Sequence, residues 1–222
     1  MLGPHAFTAA LTADRLHLEA LRAAGFSLVY PESWKGDWNL GPCCGTAHRI
    51  GVDDVAFLEQ VRALVRTAHP GVGIGLLGYS TGGGMVYRTA CEHPSFAATA
   101  VIVSGSLETP CRPDGTLPST LILHGLGDAT VPWAFTLRRT DLIDYAPRPA
   151  LSSITSYAAA GGCAPRSLTP GAGTYRLDFA RCRRSAGLLA VGEPAAGHGW
   201  EGLHAAELST SWFSSHLTVA QP

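Results

Sequence analysis

Short apolar runs alternate along the chain with segments in which apolar residues recur at helical spacing. Five runs have the length and composition of buried strands, at residues 26–30, 73–78, 97–103, 120–124 and 188–193. Helices are predicted at residues 9–24, 53–67, 82–92, 150–160 and 203–216. Such alternation indicates a mostly parallel sheet with helices on both faces, so the predicted fold class is α/β. The stretch 165–180 carries no pattern that assigns it to an element.

Length and composition narrow the class of protein. The 222 residues suit one domain over 1–222, and a hydrophobic content of 46% is enough for a large core. A net charge of −1 argues against nucleic acid as a partner, because phosphate binding needs a basic surface. No apolar run reaches the roughly 18 residues of a membrane span, so no membrane partner is expected. Nothing in the sequence indicates the oligomeric state.

The cysteines are numerous for a cytosolic enzyme of this size. They are Cys43, Cys44, Cys91, Cys111, Cys163 and Cys182. None belongs to a C-x-x-C pair, so the sequence predicts no metal site and no cofactor. An oxidising compartment explains six cysteines better, yet the first residues do not have the pattern of a signal peptide.

The most informative motif is Gly78-Tyr79-Ser80-Thr81-Gly82, which matches G-x-S-x-G. A predicted strand precedes it and a predicted helix follows it, which is the strand–turn–helix context of a nucleophile elbow. Ser80 is therefore the candidate nucleophile, and the backbone N–H of Thr81 is a candidate oxyanion donor. A glycine-rich phosphate loop or a plain turn are the alternatives.

An acid and a histidine are expected after an elbow serine, in that order. Asp128 follows the predicted strand 120–124, and His198 lies between the last strand and the last helix. His198 would act as general base and then general acid, and Asp128 would orient it. The rival residues are the acids Asp141 and Asp144 and the histidines His204 and His216, whereas His124 is interpreted as structural.

Several of these stretches together resemble the polyhydroxybutyrate depolymerase and feruloyl esterase group of α/β-hydrolases, the LpqC-like esterases. The similar stretches are WNLGPCCG (38–45), VDDVAF (52–57), GYSTGGGM (78–85), HGLGD with VP (124–132), GGC (161–163), GHGW (197–200) and WF (212–213). The resemblance implies an α/β-hydrolase fold, with the group's nucleophile, acid and base at Ser80, Asp128 and His198.

The resemblance weakens at the start of the chain. Members of the group open with two or three strands and a Leu-His-Gly turn that supplies the second oxyanion donor, whereas this chain opens MLGPH. An N-terminally truncated fold is therefore expected, together with an incomplete oxyanion hole. The full-length form would be secreted, and a genuine start at Met1 would make the protein cytoplasmic.

The resemblance also favours a disulfide between Cys163 and Cys182. Cys43, Cys44, Cys91 and Cys111 could form two further bridges, and Cys43 and Cys44 are expected to have different partners because a vicinal disulfide is strained. The candidates for substrate binding are aromatic residues near the expected strand ends, since aromatic walls suit a phenolic group or a sugar ring. These are Trp38, Trp133, Trp200 and Tyr79.

The expected function is a serine esterase that needs no cofactor. Its substrate would be a 3-hydroxyalkanoate polyester, a feruloylated or acetylated polysaccharide, or a small ester. The alternative is a non-catalytic or weakly active hydrolase-like remnant with an incomplete oxyanion hole. A peptidase or a lipase of the same fold is a third interpretation, and the sequence has no recognisable lipase lid.

Overall fold

The computed structural model describes residues 1–111, 116–136, 145–170, 174–183 and 187–217. Elements are numbered in chain order. The helices are α1 (Ala9–Arg15), α2 (Glu19–Ala23), α3 (Gly45–Arg49), α4 (Asp54–Ala68), α5 (Thr81–Glu92), α6 (Ala150–Ala160) and α7 (Ala205–His216). The strands are β1 (Gly75–Tyr79), β2 (Thr99–Val103), β3 (Ser119–Gly125), β4 (Ala164–Pro170), β5 (Tyr175–Ala180) and β6 (Leu188–Glu193).

One six-stranded sheet organises these elements, in the order β1-β2-β3-β6-β5-β4. Strands β1, β2, β3 and β6 are parallel, and the β4–β5 hairpin continues the sheet in antiparallel fashion. The predicted mostly parallel α/β sheet is thereby confirmed. Because the four parallel strands run in one direction, the loops that follow them meet at one edge of the sheet.

Helices cover both faces of the sheet, and each face has its own core. On one face α4, α5 and α6 bury Leu58, Met85 and Tyr157, among other residues. On the other face α2 and α7 bury Leu21 and Phe213. Every residue of β2 and β3 is buried, which explains why these strands are continuous apolar runs in the sequence.

The N-terminal helix predicted at residues 9–24 is two short helices. Thr8 caps α1, since its hydroxyl accepts a hydrogen bond from the Leu11 N–H. His17 has a φ of 45° and interrupts the helix, while Leu16 and Leu18 on either side of it are buried. Both leucines pack into the core on the α7 side of the sheet, on either side of a break that the sequence pattern did not reveal.

The strand predicted at residues 26–30 does not form. A strand needs a partner backbone, and within the described segments β1 pairs along its length only with β2. On its other side β1 has an isolated bridge from Leu2 to Gly78, and an apolar groove of about 560 Å³ lies between β1 and residues 26–29. Val29 is consequently 43% exposed.

The unassigned stretch 165–180 forms most of the β4–β5 hairpin. All seven residues of β4 are exposed, and the register shifts between Pro165 and Ser167. An exposed edge strand with a register shift has no buried face, so it carries no alternating apolar pattern.

Three disulfides connect the six cysteines. Cys163 and Cys182 join the two ends of the hairpin, as the resemblance implies, and Cys91 on α5 pairs with Cys111. The expectation that Cys43 and Cys44 have different partners is wrong. Since the other four cysteines pair among themselves, these two bond to each other, across a cis peptide bond.

Candidate active site

Ser80 lies in a sharp turn between β1 and α5. Its φ of 55° and ψ of −120° are strained for a non-glycine residue and typical of a nucleophile elbow. The flanking glycines make the turn feasible. A Cβ on Gly78 would meet the backbone oxygen of Gly82, and a Cβ on Gly82 would meet that of Leu2. The elbow therefore exposes one hydroxyl at the edge of the sheet where the strands end.

His198 lies in the loop between β6 and α7, and its imidazole hydrogen-bonds two of the predicted site residues. Its Nε2 atom is 2.8 Å from Ser80 Oγ, and its Nδ1 atom is 2.8 Å from Asp128 Oδ2. With the proton on Nδ1, the imidazole donates to the carboxylate and accepts from the serine hydroxyl. The structure thus brings His198 together with Ser80, 118 positions away in the sequence, and with Asp128, 70 positions away.

Asp128 follows β3 and is only 1% exposed. Its Oδ1 atom accepts the backbone N–H groups of Thr130 and Val131, each at 2.8 Å. Burial raises the pKa of Asp128, but the hydrogen bond and charge of His198 and the Val131 N–H outweigh burial and hold the pKa below its ordinary value. The carboxylate is therefore ionised and fixed in orientation.

Thr81 is the first residue of α5, so its N–H has no carbonyl partner within the helix. The helix N-terminus also favours negative charge beside Ser80. The turn that follows Leu2 packs against this elbow. Some of its backbone N–H groups already donate hydrogen bonds elsewhere, so they are not free to bind an oxyanion. Ala6 N–H donates to Gly36 O, Phe7 N–H donates to Pro4 O, and Pro4 has no N–H.

The four aromatic candidates occupy different environments. Trp38 is 1% exposed, and its indole Nε1 donates to the Gly3 carbonyl at 3.0 Å. Its assignment to substrate binding is therefore corrected, because it is a core residue with almost no free surface. Trp133 is half-buried against His124, at a ring distance of 6.0 Å. Trp200 is largely buried and packs edge-on against Tyr79.

Tyr79 has a second contact that sequence reasoning missed. Its hydroxyl donates to the backbone carbonyl of His198 at 2.8 Å, and its ring lies 5.6 Å from the imidazole. Burial raises the pKa of Tyr79, with a smaller contribution from the charge of Asp128. Tyr79 and Trp200 also line an open cavity of about 530 Å³ together with Phe7 and Leu11.

The rival residues do not join this cluster in the described part of the chain. His204 immediately precedes α7 in a left-handed conformation, and His216 stacks on Trp212 at the far end of that helix. Asp141 and Asp144 lie outside the described residues. His124, interpreted as structural, lies against the site, with its Nε2 atom 3.3 Å from Asp128 Oδ2.

Two properties of the described residues bear on the class of site. No group of three or more His, Cys, Asp or Glu side chains is arranged to hold a metal ion there. None of the helices in those segments is both long and apolar enough to cross a membrane.

Comparisons with known proteins agree with the architecture. No protein-family model matches the chain. It is 26% identical over 208 residues to "Putative esterase NocK" of Nocardia uniformis subsp. tsuyamanensis, covering 82% of this chain. The chain spans 59% of the length of that relative.

Solved structures give the same fold. Esterase PE8 superposes with a TM-score of 0.57 at 16% identity, covering 97% of this chain and 90% of that one. A structure described as a "putative hydrolase of the alpha/beta superfamily", from Xanthomonas campestris pv. campestris, gives a TM-score of 0.51 at 15% identity, covering 96% of each chain. The chain has the fold of the α/β-hydrolase superfamily.

Proposed function

We propose that the chain is a serine esterase that hydrolyses carboxylic esters through an acyl-enzyme. The observation that carries the proposal is the hydrogen-bonded series Ser80–His198–Asp128, with both distances at 2.8 Å. A neutral imidazole held between a serine hydroxyl and a buried carboxylate can accept the serine proton as the hydroxyl attacks. The relationship to a protein named as an esterase supports the same chemistry.

The proposed reaction has two halves. Ser80 Oγ attacks the ester carbonyl carbon while its proton moves to His198 Nε2, and the Thr81 N–H stabilises the resulting oxyanion. The tetrahedral intermediate collapses, His198 gives that proton to the departing alcohol, and the acyl group remains on Ser80. Water then attacks the acyl-enzyme with the same general base, which releases the acid and restores Ser80. Asp128 stabilises the imidazolium in both halves.

The substrate we propose is an ester with an apolar or aromatic group, such as a feruloyl or 3-hydroxyalkanoate ester, or an acetyl ester of a polysaccharide. The cavity beside the site supports this class, because Tyr79, Trp200 and Phe7 line it and Gly199 places it next to His198. A cavity of about 530 Å³ suits one small acyl or alcohol group rather than a long buried chain.

A hydrolysis assay with p-nitrophenyl acetate and methyl ferulate tests the proposal. We expect Ser80→Ala to lower kcat by roughly 10³-fold or more, since the residual rate comes only from binding and the oxyanion site. Ser152→Ala is the matched control, because Ser152 is exposed on α6. A serine-reactive organophosphonate should label the wild-type chain and fail to label the Ser80→Ala variant. Equal hydrolysis by the two chains would refute the assignment of Ser80.

The alternative is a weakly active hydrolase-like domain. One observation favours it, since the N–H groups of Ala6 and Phe7 are already bonded, to Gly36 O and Pro4 O, and Pro4 has none. The loss of one oxyanion donor costs on the order of 10²–10³ in kcat. Labelling of Ser80 by the organophosphonate together with very slow ester turnover would favour this alternative.

A further inference from the structure

His124 lies at the end of β3 and is completely buried. It takes no part in the ester hydrolysis proposed above. Its Nε2 atom is 2.7 Å from the Val131 carbonyl oxygen and 3.3 Å from Asp128 Oδ2. The two acceptors lie at the two ends of the turn that carries the carboxylate. The Nε2 N–H group therefore lies close to both ends of the loop 128–131.

The tautomer of His124 follows from these contacts. Both neighbours of Nε2 are oxygen acceptors, so Nε2 carries the proton and donates it. Nδ1 is buried and has no hydrogen-bond partner among the described residues. Burial lowers the pKa of His124, against the opposing effects of Val131 and Asp128, so the ring is neutral at neutral pH.

We propose that His124 is a positioning residue for the candidate triad, acting through Asp128, which rests on the proposed function of Ser80, Asp128 and His198. Asp128 Oδ2 faces both histidines, at 2.8 Å from His198 Nδ1 and 3.3 Å from His124 Nε2. The His124 ring acts electrostatically on the carboxylate, which it stabilises, and so limits how strongly the carboxylate attracts the proton on His198. It also holds the oxygen in line with Nδ1 by tying it to the Val131 turn.

The cluster has few other ionisable neighbours in the described residues. Tyr79 on β1 faces Asp128 and packs against His198, and Ser80 completes the contacts on that side. His124 itself faces Asp128 and, at longer range, His198. The electrostatic effect of a change at His124 therefore reaches the reacting serine through the carboxylate and the imidazole.

Two variants separate positioning from simple packing. His124→Gln keeps a side-chain N–H near the Nε2 position, whereas His124→Leu keeps most of the volume and removes the donor. For His124→Leu we expect kcat to fall about tenfold with KM unchanged, because the buried Val131 carbonyl loses its hydrogen bond and Asp128 loses the electrostatic effect of the ring. The lower inflection of the pH profile of kcat/KM should move to higher pH. His124→Gln should restore most of both properties.

Proton NMR supplies a readout that does not depend on turnover. The Nδ1 proton between His198 and Asp128 should give a low-field resonance whose shift and pH midpoint change in His124→Leu and return in His124→Gln. An unchanged resonance and midpoint in His124→Leu would overturn the proposal, as would equal losses in both variants. If the resonance responds as expected while hydrolysis does not depend on Ser80, the positioning role stands and the proposed function fails.

Discussion

The three disulfides differ widely in the length of chain that they close, and this difference predicts their effects on stability. Cys91–Cys111 and Cys163–Cys182 join residues 20 and 19 positions apart, whereas Cys43–Cys44 joins neighbours. We consider three double variants in which both cysteines of one pair become alanine. One cysteine of each pair is similarly buried, with Cys43, Cys91 and Cys163 at 4%, 5% and 9% exposure, so the packing losses are comparable.

The expected magnitudes come from the entropy that each bridge removes from the unfolded chain. A loop of about 20 residues corresponds to about 3 kcal/mol, and a loop of two residues to about 1 kcal/mol. Each long-loop variant should therefore lose about 2 kcal/mol more of unfolding free energy than the Cys43→Ala/Cys44→Ala variant. That difference is a large part of the 5–15 kcal/mol by which a domain is typically stable.

Equilibrium urea unfolding followed by circular dichroism measures the difference. With a slope of about 2–3 kcal/mol/M for a domain of this size, a loss of about 3 kcal/mol lowers the midpoint by roughly 1–1.5 M. The slope should also rise in the long-loop variants, because the unfolded chain is less compact without the bridge. The wild-type chain with all three disulfides reduced shows the largest loss of unfolding free energy, because the effects of the three bridges then combine.

Two results would refute this reasoning. A vicinal variant as destabilised as either long-loop variant would mean that local packing, and not chain entropy, determines the contribution of the bridges. Unchanged midpoints in both long-loop variants would mean that these bridges are absent from the folded protein in solution.

Two further predictions concern residues around the candidate triad. Tyr79→Phe keeps the ring but removes the hydroxyl that donates to the His198 carbonyl, so kcat should fall about two- to tenfold with KM unchanged in steady-state kinetics; an unchanged kcat would contradict it. Burial lowers the pKa of His124 from its ordinary 6.5, so the unfolded chain takes up this proton at higher pH than the folded chain. The unfolding free energy should therefore decrease below about pH 6.5, by at most about 1.4 kcal/mol per pH unit. His124→Leu should lack this part of the slope in urea unfolding at pH 7.5 and 5.5, and an identical slope would contradict the buried neutral histidine.

The three residues of the candidate triad could be predicted because topology alone brings them together. Ser80 follows β1, Asp128 follows β3 and His198 follows β6, and these strands are parallel members of one sheet. A buried strand is recognisable from its apolar run, and a parallel sheet collects the carboxyl ends of its strands at one edge. No knowledge of side-chain packing is needed for that step.

Pairing and packing account for what the sequence did not reveal. Residues 26–30 have the composition of a strand, yet a strand also requires a neighbouring backbone, which composition cannot specify. The break at His17 lies between Leu16 and Leu18, whose burial only the folded sheet determines. Trp38 looks like a ligand-binding aromatic in a glycine-rich loop, but its indole is fixed by the Gly3 carbonyl.

The direction of the Tyr79 side chain could have been predicted from the alternation of side chains along β1. Successive side chains of a strand point to opposite faces, so Tyr79 shares a face with Leu77 and not with Leu76. Leu77 and Tyr79 do pack with the α7 side of the sheet, and Leu76 packs with the α5 side. Since the loop that carries His198 leads into α7, the period of two already directs the Tyr79 ring beneath His198. The hydroxyl contact with the His198 carbonyl is thus a consequence of register, and its assignment to substrate alone overlooked that constraint.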